Sequence, residues 1–109
     1  MKTTDANKKI DKMVQKILKL FDPEKIILFG SYAKGTQEPD SDVDLLVVMR
    51  VSGSKRKKAA EIDLALADIS LPKDVILVTP EELESYRDIV GTIIYPAVRE
   101  GKLLYERNS

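Results

Sequence analysis

Three short apolar runs constrain this chain more than any other feature. They are Lys25-Ile26-Ile27-Leu28-Phe29, which stops at Gly30; Asp42-Val43-Asp44-Leu45-Leu46-Val47-Val48; and Asp74-Val75-Ile76-Leu77-Val78. Each is long enough for a strand and too short for a helix, so each reads as a buried strand. Segments of helical spacing separate them. Ile10, Met13, Val14, Ile17, Leu18 and Phe21 recur three and four apart, whereas Lys8, Lys9, Lys12, Lys16 and Lys19 fall mostly off that face and read as solvated. Thr4 or Asp5 can cap this helix, and Asp22-Pro23 ends it, because the residue before proline is driven out of helical geometry. Ala59, Ile62, Leu66 and Ile69 mark a second helix, which Leu71-Pro72 is expected to break.

Thr79-Pro80-Glu81-Glu82 starts another helix, with Thr79 as cap, Pro80 in the first position and Glu82 closing a capping box. A last helix is interrupted or begun near Pro96 and stops at Gly101, and Lys102-Leu103-Leu104-Tyr105 follows as an edge strand. The order α-β-α-β-α-β-α(α)-β predicts an α/β or α+β layered domain. Nothing repeats and no linker intervenes. At 109 residues, one domain over 1–109 is expected.

Absent residue types exclude whole classes of chemistry. Without Cys there is no disulfide, thiolate metal site or Cys nucleophile. Without His there is no Ser-His-Asp triad, no imidazole acid–base catalysis and no His-ligated zinc. Any metal must be held by oxygen, which points to magnesium, calcium or manganese. Lys+Arg and Asp+Glu both number 18, so wholesale electrostatic attraction to nucleic acid or an anionic membrane is not expected. No apolar run approaches the ~20 residues of a membrane span. The start, Met1-Lys2-Thr3-Thr4-Asp5, has no apolar core, and a cytoplasmic protein is expected.

Three features carry candidate chemistry. Gly30-Ser31 follows a strand directly, so a helix starting at Ser31 would aim free N–H groups outward as a phosphate nest; the plainer reading is a simple helix cap. Gly30 and Gly35 have P-loop spacing, but Thr36 stands where that motif requires Lys, so the P-loop is rejected. Asp42 and Asp44, two apart at the mouth of a strand, can project from one face onto a divalent ion, or can belong to the solvated turn at Pro39-Asp40-Ser41. Asp74 opens the next apolar strand and would add a third oxygen ligand, or simply ends the Pro72-Lys73 loop.

Taken together, Gly30-Ser31-Tyr32-Ala33-Lys34-Gly35, Ser41-Asp42-Val43-Asp44-Leu45-Leu46-Val47, the Asp74–Glu82 stretch and the Arg99–Tyr105 tail resemble the minimal nucleotidyltransferases of the DNA polymerase β-like superfamily. The resemblance covers residues 10 to 106. It implies a polymerase β-like fold, a mixed sheet of about four strands packed with helices. It further implies that Gly30 and Ser31 hold the β and γ phosphates of a nucleoside triphosphate, with Lys34 neutralising phosphate. Asp42 and Asp44 would bind two Mg2+ ions, for which Mn2+ can substitute, and Asp74 would ligate the one nearest the attacking hydroxyl.

The implied reaction moves a nucleoside monophosphate, AMP from ATP, to a hydroxyl acceptor and releases pyrophosphate. A chain this short has little beyond a catalytic sheet, so its acceptor is small or is brought by a partner. The resemblance implies a HEPN-domain ribonuclease toxin as partner, modified on a tyrosine hydroxyl by this chain as antitoxin. Two other readings stay open: a non-catalytic antitoxin acting by contact, and an enzyme acting on a small molecule such as an aminoglycoside. A homo-oligomer is compatible with the sequence. The basic run Lys55-Arg56-Lys57-Lys58 reads first as a solvated loop, with a partner contact as the alternative.

Overall fold

The computed structural model describes residues 5–108. Thr4 and the chain start therefore lie outside the described residues. The elements are α1 (Asp5–Leu20), β1 (Lys25–Phe29), α2 (Ser31–Lys34), β2 (Val43–Val48), α3 (Lys55–Leu66), β3 (Lys73–Val78), α4 (Pro80–Tyr86), α5 (Ile94–Glu100) and β4 (Lys102–Glu106). The four strands form one sheet in the order β3-β2-β1-β4. β1 runs antiparallel to both β2 and β4, whereas β2 and β3 are parallel, so the sheet is mixed. A parallel pair needs a long crossover, and α3 provides it.

Helices cover both faces of the sheet, and this explains why the strands read as unbroken apolar runs rather than alternating ones. On one face Met13 and Ile17 of α1 and Ile62 and Leu66 of α3 pack on Ile26, Leu28, Leu45 and Val47. On the other, Leu83 of α4 and Ile94 and Ala97 of α5 pack on Ile27, Phe29, Leu46 and Val48. Neighbouring residues of β1 and β2 thus serve opposite layers, the period-two signature of a strand.

Helix ends follow local chemistry. The Thr79 hydroxyl accepts from Glu82 N–H at 3.1 Å, while the Glu82 carboxylate accepts from Thr79 N–H at 2.9 Å, completing the expected capping box. Pro96 sits in the first turn of α5, where a missing N–H costs no intrahelical bond. The second long helix ends earlier than expected, at Leu66 rather than at Leu71-Pro72. Beyond that end Ile69 packs into the core and Asp68 pairs with Lys16 of α1. β2 likewise starts at Val43, so Asp42 stands one residue outside the strand. Among the described residues no helix is long and apolar enough to cross a membrane.

Candidate active site

The sheet's strand directions decide where the chemistry-bearing residues go. β1 ends, and β2 and β3 begin, at the same edge. Phe29 is the register partner of Asp44, and Asp44 is the register partner of Asp74. Asp44 shares strand parity with Leu46 and Val48, and Asp74 with Ile76 and Val78, so both carboxylates project on the sheet face that α4 and α5 cover further along.

Gly30 turns the chain out of β1 with φ 74° and ψ −154°, a conformation that disfavours any residue with a Cβ. A second constraint acts at the same place. A Cβ on Gly30 would overlap Asp44 Oδ2 and lie 3.2 Å from its Cγ. The carboxylate of β2 is thus pressed against the backbone of the turn, and only glycine leaves room for it. α2 begins immediately afterwards at Ser31. Gly30 has no side chain with which to cap it, so the first-turn N–H groups gain no side-chain acceptor. Gly35 closes α2 in the left-handed region at φ 77°. It therefore ends a helix, whereas the second glycine of a P-loop leads into one, which agrees with rejecting that motif.

Asp44 is half-buried, whereas Asp42 and Asp74 are exposed. Burial, then the like charge of Asp74, then that of Asp42, push the Asp44 carboxyl above its ordinary value. Asp74 and Asp42 are therefore both near enough to act on Asp44. They do not close into a ready-made chelate: among the described residues no three Asp or Glu side chains form a group that could hold a metal. The donor chemistry still fits a hard divalent cation, being all carboxylate oxygen in a chain without His or Cys. Lys34, expected at the phosphates, forms an ion pair with Glu100 at the end of α5, Nζ to Oε1 3.0 Å. Glu100 was not singled out from the sequence. It lies far along the chain from Lys34, and no local pattern connects the two.

One groove, about 610 Å³, runs between α1 and residues 68–70 and contains none of the residues above. Two of its three lysines are already engaged, Lys9 with the Ser70 carbonyl and Lys16 with Ala65 and Asp68. The basic run at the start of α3 is partly neutralised as well, since Lys55 pairs with Glu82 and Lys58 with Glu61.

A mixed four-stranded sheet carrying a glycine-serine turn against adjacent strand-borne carboxylates is the architecture of a nucleotidyltransferase. Residues 10–98 match the model of the nucleotidyltransferase domain, and the chain belongs to that family. Among curated proteins of Methanocaldococcus jannaschii it is 34% identical over 110 residues to "Putative protein adenylyltransferase MJ1305", a match covering 94% of this chain and 74% of that one. It is 35% identical over 54 residues to "Putative protein adenylyltransferase MJ0141", covering 50% of this chain and 54% of that one. The chain thus spans about half the length of this second relative.

Among solved structures, a mutant of the toxin–antitoxin MntA-HpeT superposes with a TM-score of 0.60 at 25% identity, covering 91% of this chain and 73% of that one. A toxin–antitoxin with AMP-PNP superposes with a TM-score of 0.51 at 24% identity, covering 93% and 73%, and bears on the fold alone.

Proposed function

We propose that this nucleotidyltransferase transfers AMP from ATP to a hydroxyl group of a partner protein, with two Mg2+ ions as cofactors and pyrophosphate as leaving group. One observation carries the reading. Asp44 and Asp74 are neighbours across a parallel ladder, and Asp44 presses on a turn that leads into an uncapped helix start.

Gly30 and Ser31 bind the β and γ phosphates, using the N–H groups at the start of α2 and the Ser31 hydroxyl. Lys34 adds a positive charge on the last turn of that helix. Asp42 and Asp44 would hold the metal ions, with Asp74 as a third carboxylate ligand. When bound, the ions supply charge neutralisation at the entering and departing oxygens. The acceptor oxygen forms a bond to the α phosphorus as the bond from that phosphorus to the bridging oxygen of pyrophosphate breaks. Asp74 is exposed and stands beside Asp44, so it can take the hydroxyl proton and pass it to solvent. Positioning and electrostatics carry such a reaction, and no imidazole is required.

A protein acceptor agrees with the adenylyltransferase names of the relatives and with the toxin–antitoxin structures among the neighbours. We assign that partner to the HEPN ribonuclease toxins, with the chain acting as antitoxin by modifying a tyrosine, and place the reaction in the cytoplasm. The test is to incubate the chain with labelled ATP, Mg2+ and the toxin and to weigh the intact proteins. A toxin heavier by one AMP supports the proposal. An unmodified toxin that is nevertheless neutralised, by the parent and by Asp44→Asn alike, replaces it with inhibition by contact.

A further inference from the structure

Glu100 has no role in the reaction as described, yet the fold places it against the nucleotide turn. Gly101, the next residue, fixes that placement. A Cβ there would overlap the Ala97 carbonyl and Ile27 Cγ2 and lie 2.9 Å from the Leu28 carbonyl. The end of α5 therefore rests directly on the backbone of β1, two residues before Gly30. From this seat the Glu100 carboxylate takes the Lys34 ammonium at 3.0 Å. Arg99 also donates to Asp88 at 2.9 Å, which ties α5 to the segment that follows α4. Lys34 is also a cation near the C-terminal end of α5, where the helix dipole favours it.

We infer that Glu100 is a positioning residue, an internal anion that holds Lys34 at the turn and is displaced from it by the outer phosphates of the incoming triphosphate. This rests on the reading that Lys34 meets the triphosphate. The Lys34–Glu100 pair is about half exposed on both sides, so it is weak enough to be exchanged for a more highly charged anion. The exchange sets nucleotide affinity and leaves the carboxylates of the chemical step untouched.

Calorimetric titration with ATP and Mg2+, at low and high salt, tests this on the full chain. Glu100→Gln is expected to tighten ATP binding about two- to fivefold, as removal of a competing surface ion pair allows. In transfer assays KM should fall while kcat and the melting temperature stay unchanged. In a Lys34→Ala background the same Glu100→Gln change should have no effect on ATP affinity. High salt should shrink the difference between parent and Glu100→Gln. If ATP binds the parent and Glu100→Gln leaves its affinity unchanged, or tightens it equally without Lys34, the inference is overturned and the proposed function stands. If the parent does not bind ATP at all, both fall.

Discussion

Asp44 of β2 and Asp74 of β3 are register partners in a parallel ladder, so two carboxylates stand side by side on one face of the sheet. Like charges directly opposite one another destabilise a sheet, and burial of Asp44 adds to the cost. The folded protein therefore carries an electrostatic penalty at the place where the proposed reaction needs negative charge.

Replacing Asp44 by Asn removes that penalty and a metal ligand at once. Without divalent ions the Asn variant should unfold at the same temperature as the parent or above it. Its transfer rate should fall by at least about 10²-fold, the scale of losing one preorganised electrostatic group. A variant both less stable and fully active would contradict the arrangement.

Metal removal gives a complementary result. A cation that binds only the folded state stabilises it by mass action, by about 2.7 kcal/mol at a hundredfold excess over its dissociation constant. Adding Mg2+ with nucleotide should raise the parent's melting temperature, with a much smaller rise in Asp44→Asn. Chelation with EDTA should abolish transfer. Transfer that survives EDTA would rule out the metal-dependent mechanism.

At Gly30 the constraint is steric. Gly30→Ala forces a Cβ into a positive-φ position, at roughly 1–2 kcal/mol, and drives it into the Asp44 carboxylate. The variant should lose at least that much stability in denaturant titration and bind ATP poorly. Gly35→Ala meets no neighbouring atom within 4 Å, so it should show only the conformational cost.

The α4 capping box predicts a pH dependence. Glu82 accepts from Lys55 and from Thr79 N–H, and these bonds, the Lys55 one first, hold its carboxyl below its ordinary value of 4.5. A carboxyl depressed in the folded state contributes stability at neutral pH, and that contribution disappears as pH falls below 4.5 towards the native value. The stability gap between parent and Glu82→Gln, from urea titrations, should therefore be widest near neutrality and narrow in acid. Thr79→Ala, which removes the reciprocal bond, should cost about 1 kcal/mol.

Much of this molecule was legible before its fold was described, because local spacing governs local structure. The apolar runs marked β1, β2 and β3 within a residue of their ends, and Thr79-Pro80 marked the start of α4. The expected layered sheet of about four strands is the one observed. Gly30 could be picked out because a strand ending in glycine has few uses.

Strand order and direction were not legible, since those pairings join segments far apart in the chain and leave no local trace. The parallel β2–β3 ladder alone makes Asp44 and Asp74 neighbours, and the direction of β1 alone brings Gly30 to them. Tertiary packing also joined Asp68, just past the end of α3 at Leu66, to Lys16 of α1. It joined Lys34 to Glu100, a pair set by the seating of α5 on β1. The residue types and their spacing came from the sequence, but which of them meet was decided by long-range strand pairing and by close approaches that only glycine permits at Gly30 and Gly101.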